Sequence, residues 1–168
     1  MIKKSIILIS WVFFAAPLMA AEWDVEVSES LVTASITGEI TWGDRQRFVF
    51  FKGDCKSVRH VFSSYTKASA DFEDLKDRVL AIEFNGEVIG TTLIEARKGM
   101  GGHLLLFDLG SYNRNLLLNH LKKHKKISIV FVDGNGVKAS DYFDVPNNEW
   151  STNGISEAFD KAHKACSS

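Results

Sequence analysis

Two cysteines, Cys55 and Cys166, constrain the fold of this 168-residue chain more than any other feature. Only one pairing is possible within the chain, and it would close a loop of about 110 residues. In the chain-entropy model, closing a loop of that length stabilises the folded state by about 4 to 5 kcal/mol. We expect this bond to tie the C-terminus to the first third of the fold. A reactive thiol and an intermolecular bridge are the alternatives.

The first twenty residues predict that the cysteines meet an oxidising environment. Lys3 and Lys4 precede the apolar residues 6–19, and the small residues Ala20 and Ala21 follow. This is the pattern of a signal peptide, residues 1–20, cleaved between Ala20 and Ala21. The apolar block is shorter than the ~18 to 20 residues of a spanning helix, which disfavours a retained anchor. We therefore expect a periplasmic or secreted protein with no stable membrane insertion after cleavage, in which the disulfide forms.

The remaining residues, 21–168, predict a single domain, because no repeat, low-complexity tract or linker divides them. Without Lys3 and Lys4, the charge balance is 18 basic against 21 acidic residues, a net charge of −3. A nucleic-acid partner or an anionic membrane surface would favour a basic surplus instead. A protein partner is compatible with this charge.

Alternating hydrophobicity predicts a mainly β structure. Trp23, Val25 and Val27 alternate with polar residues, as in a half-buried strand. Asn85-Gly86 lies between two apolar segments and is a strong hairpin signal. Residues 68–80 are polar and favour a short helix or an irregular loop. Further strands are predicted over residues 31–41, 47–52, 104–109, 127–132 and 137–145.

Two segments predict helices. Ser111 or Asn113 is suited to cap a leucine-rich helix that ends in a lysine cluster. A second helix, with a cap region at 151–153, has an apolar stripe that includes Phe159 and Cys166. We therefore predict an α+β fold, a mainly antiparallel β-sheet or sandwich with two helices, whose C-terminal helix is held by the disulfide.

No motif in the chain indicates catalysis. His120 and His124 lie four residues apart, but the lysines around them oppose a metal cation. A Gly-x-Ser-x-Gly elbow is missing from the sequence. We expect no enzyme activity, no catalytic or metal-binding residues and no cofactor. The alternative is a periplasmic hydrolase or small-ligand-binding protein, in which His60, His103 or the 120/124 pair would meet carboxylates in space.

A glycine-rich basic segment is a possible partner-binding loop. It leads into the apolar residues 104–109 and lacks the spacing of a phosphate-binding loop. A hairpin connection is the simpler interpretation. The residues of this loop are Arg97, Lys98, Gly99, Met100, Gly101 and Gly102.

The order of features resembles small exported bacterial proteins of the invasion-associated-locus-B type and the type VI secretion accessory protein VasI. The resemblance rests on Trp23-x-Val25, on Cys55 and on the run from Leu116 to Cys166, which contains Tyr142-Phe143-Asp144-Val145. It implies a compartment and a fold, and it offers no catalytic residues.

These observations favour a non-enzymatic periplasmic protein that binds another protein, as an accessory factor of a secretion or envelope system. The alternative within this class is an inhibitor or immunity protein against a cell-wall-degrading toxin. In that case acidic loop residues would fill a basic catalytic cleft.

Overall fold

The computed structural model describes residues 22–41 and 43–168, and the predicted signal peptide lies outside this part of the chain. The helices are α1 (Arg114–Leu121) and α2 (Ile155–Cys166). Neither these nor any other helix within the described ranges is long and apolar enough to cross a membrane. The strands are β1 (Asp24–Val27), β2 (Leu31–Thr37), β3 (Arg45–Phe51), β4 (Asp54–Thr66), β5 (Val79–Phe84), β6 (Glu87–Gly99), β7 (Gly102–Asn113), β8 (Lys126–Phe131) and β9 (Asn147–Ser151).

The strands form one antiparallel sheet in the order β1-β2-β3-β4-β7-β6-β5-β8-β9. The first four strands are sequential neighbours, and the chain then crosses over so that β5, β6 and β7 return to lie beside β4. The predicted α+β fold, with mainly antiparallel strands and two helices, is confirmed.

The two long hairpins turn at residues with left-handed backbone conformations. Asn85 and Gly86 have φ angles of 49° and 90°, and Met100 and Gly101 have φ angles of 53° and 78°. Two successive positive φ values characterise the type I′ turn, whose twist matches that of the strands it joins. The hairpin predicted at Asn85-Gly86 is confirmed.

The sheet curves until the end of β2 meets β9. The backbone N–H of Glu39, just after β2, donates to the carbonyl of Glu149 in β9 at 2.9 Å. The Lys126 ammonium lies 2.9 Å from the Glu39 carboxylate and 2.7 Å from the Glu149 carboxylate. Apolar side chains fill the inside of the curve, including Phe62, whose ring centre is 6.4 Å from that of Trp150.

Helix α2 covers the inner face of β1 to β3 and is bonded to the sheet. The Phe159 ring packs edge-on against Phe48 and Phe50, with ring-centre distances of 4.9 and 5.6 Å. Cys166, on the same buried stripe, forms a disulfide with Cys55, and their Cα atoms are 5.9 Å apart. The predicted pairing of the cysteines is confirmed.

Two local predictions are wrong. Residues 137–145 form no strand: a 3-10 turn occupies Ala139–Asp141, and the Asp133 carboxylate accepts the Ala139 N–H at 2.8 Å. Val137, Ala139 and Phe143 of this segment are nevertheless buried, and the Phe143 ring stacks on that of Phe131 with their centres 3.7 Å apart. The residue before α2 is Gly154 rather than a side-chain cap within 151–153, and its φ of 79° sets the entry into the helix.

Candidate functional site

An apolar cleft lies between α1 and the inner surface of the sheet, and we call it the α1 cleft. Its volume is about 310 Å³. Residues of β5, β6, β7 and α1 form its apolar walls, namely Phe84, Ile89, Leu109, Tyr112, Leu116 and Leu117. Four residues with polar side chains complete the lining: His60, Glu87, Asn113 and His120. Mostly apolar walls with a few polar groups are typical of binding sites.

Helix α1 is positioned by its cap and by two buried leucines. The Asn113 side-chain oxygen accepts the N–H groups of Asn115 and Leu116 at 3.0 and 3.2 Å, as predicted for a cap at this residue. Leu117 and Leu121 point into the core. Leu116, on the adjacent face, remains 72% exposed at the rim of the cleft.

A β-bulge shapes the floor of the cleft. The register of β4 and β7 shifts because His60 pairs with Gly110 while Val61 pairs with Asp108, which leaves Leu109 as the extra residue. Gly110 has a φ of 96°, which glycine adopts without strain. Bulges of this kind redirect side chains near functional sites. Both His60 and Leu109 line the α1 cleft.

The bulge is held on the outer face of the sheet by an ion pair. The Arg59 guanidinium donates to the two carboxylate oxygens of Asp108 at 3.1 and 2.8 Å. The same carboxylate accepts the Gly110 N–H at 3.0 Å. The hydrogen bond from Arg59 keeps the pKa of Asp108 below its usual value. This pair fixes the backbone that carries His60.

His60 is a neutral, buried histidine. Its side chain is 2% exposed and lies between Phe48 and Phe84, with ring-centre distances of 4.6 and 5.7 Å. Its Nε2 is 2.6 Å from Oε1 of Gln46, which is also buried. Burial lowers the pKa of His60 to about 3, although Asp108 opposes this shift. The imidazole is therefore uncharged at neutral pH.

The structure brings His60, which stands alone in the sequence, to the same cleft as His120 of the 120/124 pair. The His120 ring stacks on the Phe84 ring, with their centres 6.2 Å apart, and His120 borders the same cleft as His60. The ring centres of His124 and His120 are 5.5 Å apart. His103 lies elsewhere in the fold and packs on Phe72, with ring centres 4.7 Å apart. Over residues 22–41 and 43–168, no three His, Cys, Asp or Glu side chains form a group able to hold a metal ion.

The glycine-rich segment proposed as a partner-binding loop forms the tip of the β6–β7 hairpin. Met100 is largely exposed there, and Arg97 pairs with Glu95 at 2.5 Å. The Tyr65 hydroxyl donates to the Met100 carbonyl at 2.9 Å, which fixes the turn against β4. A shallower groove beside the tip is lined by Ile40, Thr41, Tyr65, Lys67, Met100, Asp144 and Val145.

Comparison of the chain with protein-family models, curated proteins and solved structures finds no match. The α1 cleft is therefore interpreted from its own geometry. The sequence did not indicate this cleft, because its residues come from five separate elements. The one local signal was Leu116, the leucine that lies off the buried face of α1.

Proposed function

We propose that this is an exported, non-enzymatic protein that binds another protein through the α1 cleft. The observation that carries the proposal is Leu116, a large apolar residue that is 72% exposed at the rim of an open apolar cleft. Tyr112, also exposed in part, lines the same cleft. Apolar surface concentrated around a concave site is characteristic of interaction surfaces.

A protein partner suits the energetics of this cleft. Fully burying a side chain such as leucine stabilises a complex by about 1.5 to 3 kcal/mol. An apolar side chain of the partner, seated between Leu116 and Ile89, would remove both from water and add its own burial. A few such anchors supply most of the binding energy in protein interfaces.

Charge favours a partner segment with a basic residue beside the anchor. Glu87 lines the cleft and makes no ion pair with another described residue. The chain beyond residue 20 has a net charge of −3, which would speed association with a cationic surface.

The biological role that we propose is that of an accessory factor in a secretion or envelope system. The predicted signal peptide and the resemblance to exported accessory proteins support this role, and the Cys55–Cys166 bond suits an oxidising compartment. An immunity protein would be expected to bind through acidic loops such as residues 71–77, whereas the α1 cleft has mostly apolar walls. Secretion-apparatus genes beside this gene would support the accessory role, and an adjacent toxin gene would support immunity.

Site-specific photo-crosslinking tests the binding surface. A photoreactive phenylalanine analogue placed at Leu116 is expected to yield a discrete adduct in cells that export the protein. Val88 is the matched control, because it is 69% exposed but alternates with Glu87 and Ile89 onto the opposite face of its strand. Equal yields of the adduct at both positions would contradict the proposal.

A further inference from the structure

Two of the polar residues lining the α1 cleft, Tyr112 and Asn113, form hydrogen bonds to the backbone. The Tyr112 hydroxyl donates to the Leu109 carbonyl at 2.5 Å. The Asn113 side-chain oxygen caps α1 by accepting two backbone N–H groups. His60, His120 and Glu87 are the other polar residues of the lining, and His60 is the most deeply buried of the three.

The contact with Gln46 sets the tautomer of His60. A side-chain amide oxygen accepts hydrogen bonds and cannot donate them, so Nε2 of His60 carries the proton in its 2.6 Å contact with Gln46 Oε1. A neutral imidazole has one protonated nitrogen. Nδ1 is therefore unprotonated and is a hydrogen-bond acceptor.

The same contact orients the ring. Gln46 does not line the α1 cleft, whereas His60 does, so Nε2 lies on the side of the ring away from the cleft. The two ring nitrogens are on different edges of the imidazole. Among the described residues, the contact with Gln46 through Nε2 is the one hydrogen bond of the His60 side chain. Nδ1 of His60, the most buried polar residue of the lining, thus offers an uncharged acceptor at the inner end of the cleft.

We infer that the α1 cleft recognises a tyrosine or tryptophan side chain of the partner, whose O–H or N–H donates to Nδ1 of His60. This inference rests on the proposed function and specifies its anchor residue. Tyrosine and tryptophan combine a large apolar ring with one donor, which matches mostly apolar walls with a buried acceptor at the inner end. Leucine, methionine or phenylalanine would fill the walls but leave Nδ1 without a partner.

Small analogues of these side chains test the inference without knowledge of the partner. The probes are p-cresol and 3-methylindole for tyrosine and tryptophan, with toluene as the analogue that lacks a donor. Binding to the disulfide-bonded protein is measured by NMR titration, which also follows the ring nitrogens of His60. We expect p-cresol to bind about tenfold more tightly than toluene and to shift the Nδ1 resonance.

His60→Phe is the decisive variant, because it keeps an aromatic ring and removes the acceptor. It should reduce the affinity for p-cresol to that for toluene. His124 lies outside the cleft lining, so His124→Phe should leave the affinities for p-cresol and toluene unchanged. If His60→Phe does not fold, the wild-type titration still decides. Equal affinity for p-cresol and toluene, or a protonated Nδ1 in the unliganded protein, would overturn the inference. One of these two results, together with a specific adduct at Leu116, would show that the recognition chemistry is wrong while the proposed function stands.

Discussion

The carboxylate of Asp44, just before β3, accepts a hydrogen bond from the side-chain amide of Asn148 in β9, 104 residues further along the chain. The Tyr65 N–H donates to the same carboxylate at 2.6 Å. Asp44 is only 1% exposed, and burial raises its pKa to about 7 against these two hydrogen bonds. A titratable group therefore joins the start of β3 to β9 across the curved sheet.

Asp44 and His60 should affect stability in opposite directions between pH 5 and pH 7. The folded-state pKa of Asp44 is raised from 3.8 to about 7, so its contribution to stability is lost as the pH rises through this range. The folded-state pKa of His60 is lowered from 6.5 to about 3, so its contribution to stability is gained as the pH rises. Each effect is about 2 kcal/mol over this range, and we expect them largely to cancel.

Asp44→Asn should reveal the opposing effect of His60. In this variant the free energy of unfolding should rise by about 2 kcal/mol from pH 5 to pH 7, while that of the wild type changes much less. Urea denaturation at the two pH values measures this difference. His60→Gln is the complementary variant and should become less stable over the same range. Parallel pH profiles for the wild type and Asp44→Asn would show that Asp44 titrates normally.

Cys166→Ser should destabilise the protein by about 2 to 5 kcal/mol, because the bond closes a long loop and fastens α2. Calorimetry of the oxidised wild type and the variant measures the loss as a lower Tm. The double variant, Cys55→Ser with Cys166→Ser, controls for the remaining thiol. An alkylation assay on unreduced protein should find no reactive thiol, and two alkylated cysteines would refute the bond.

Phe159→Ala should cost about 3 to 5 kcal/mol, because its buried ring fills the space between α2 and the phenylalanines of β3. Leu116→Ala is the contrasting change, since that side chain is largely exposed, and we expect less than about 0.5 kcal/mol. Chemical denaturation compares the two variants directly. A similar cost for both would mean that α2 does not cover the core as described.

Gly102→Ala should destabilise the β6–β7 hairpin by about 1 to 3 kcal/mol. An added Cβ would lie 2.4 Å from the Thr66 carbonyl oxygen and 2.6 Å from the Tyr65 hydroxyl, and the backbone oxygen cannot easily move. Gly99→Ala is the matched control on the other side of the turn, where a Cβ would meet no atom within 4 Å. Hydrogen exchange at the tip should accelerate in the first variant alone.

The features that the sequence predicted are those determined by local chemistry. Asn85-Gly86 favours one turn type whatever surrounds it, and Asn113 caps α1 through atoms two and three residues away. Cys166 was placed on the buried face by helical spacing alone. The disulfide could be predicted because Cys55 is the one other cysteine with which Cys166 can pair.

The features that the sequence missed depend on distant pairing. Residues 137–145 contain apolar residues that enter the core from a loop, and Phe143 reaches Phe131 without strand pairing. The α1 cleft depends on the bulge opposite His60, which exists only because β4 pairs with β7 in this register. No local pattern near His60 encodes that register.

The most direct test of the account is the co-purification of the partner with Leu116→Asp and Val88→Asp. Both residues are exposed, so both variants should fold with nearly wild-type stability. The protein to be quantified is the one that crosslinks at position 116. We predict that Val88→Asp recovers it at the wild-type level and that Leu116→Asp recovers at least about tenfold less, because a charge at the rim opposes burial of the anchor. Equal recovery by both variants would contradict binding at the α1 cleft.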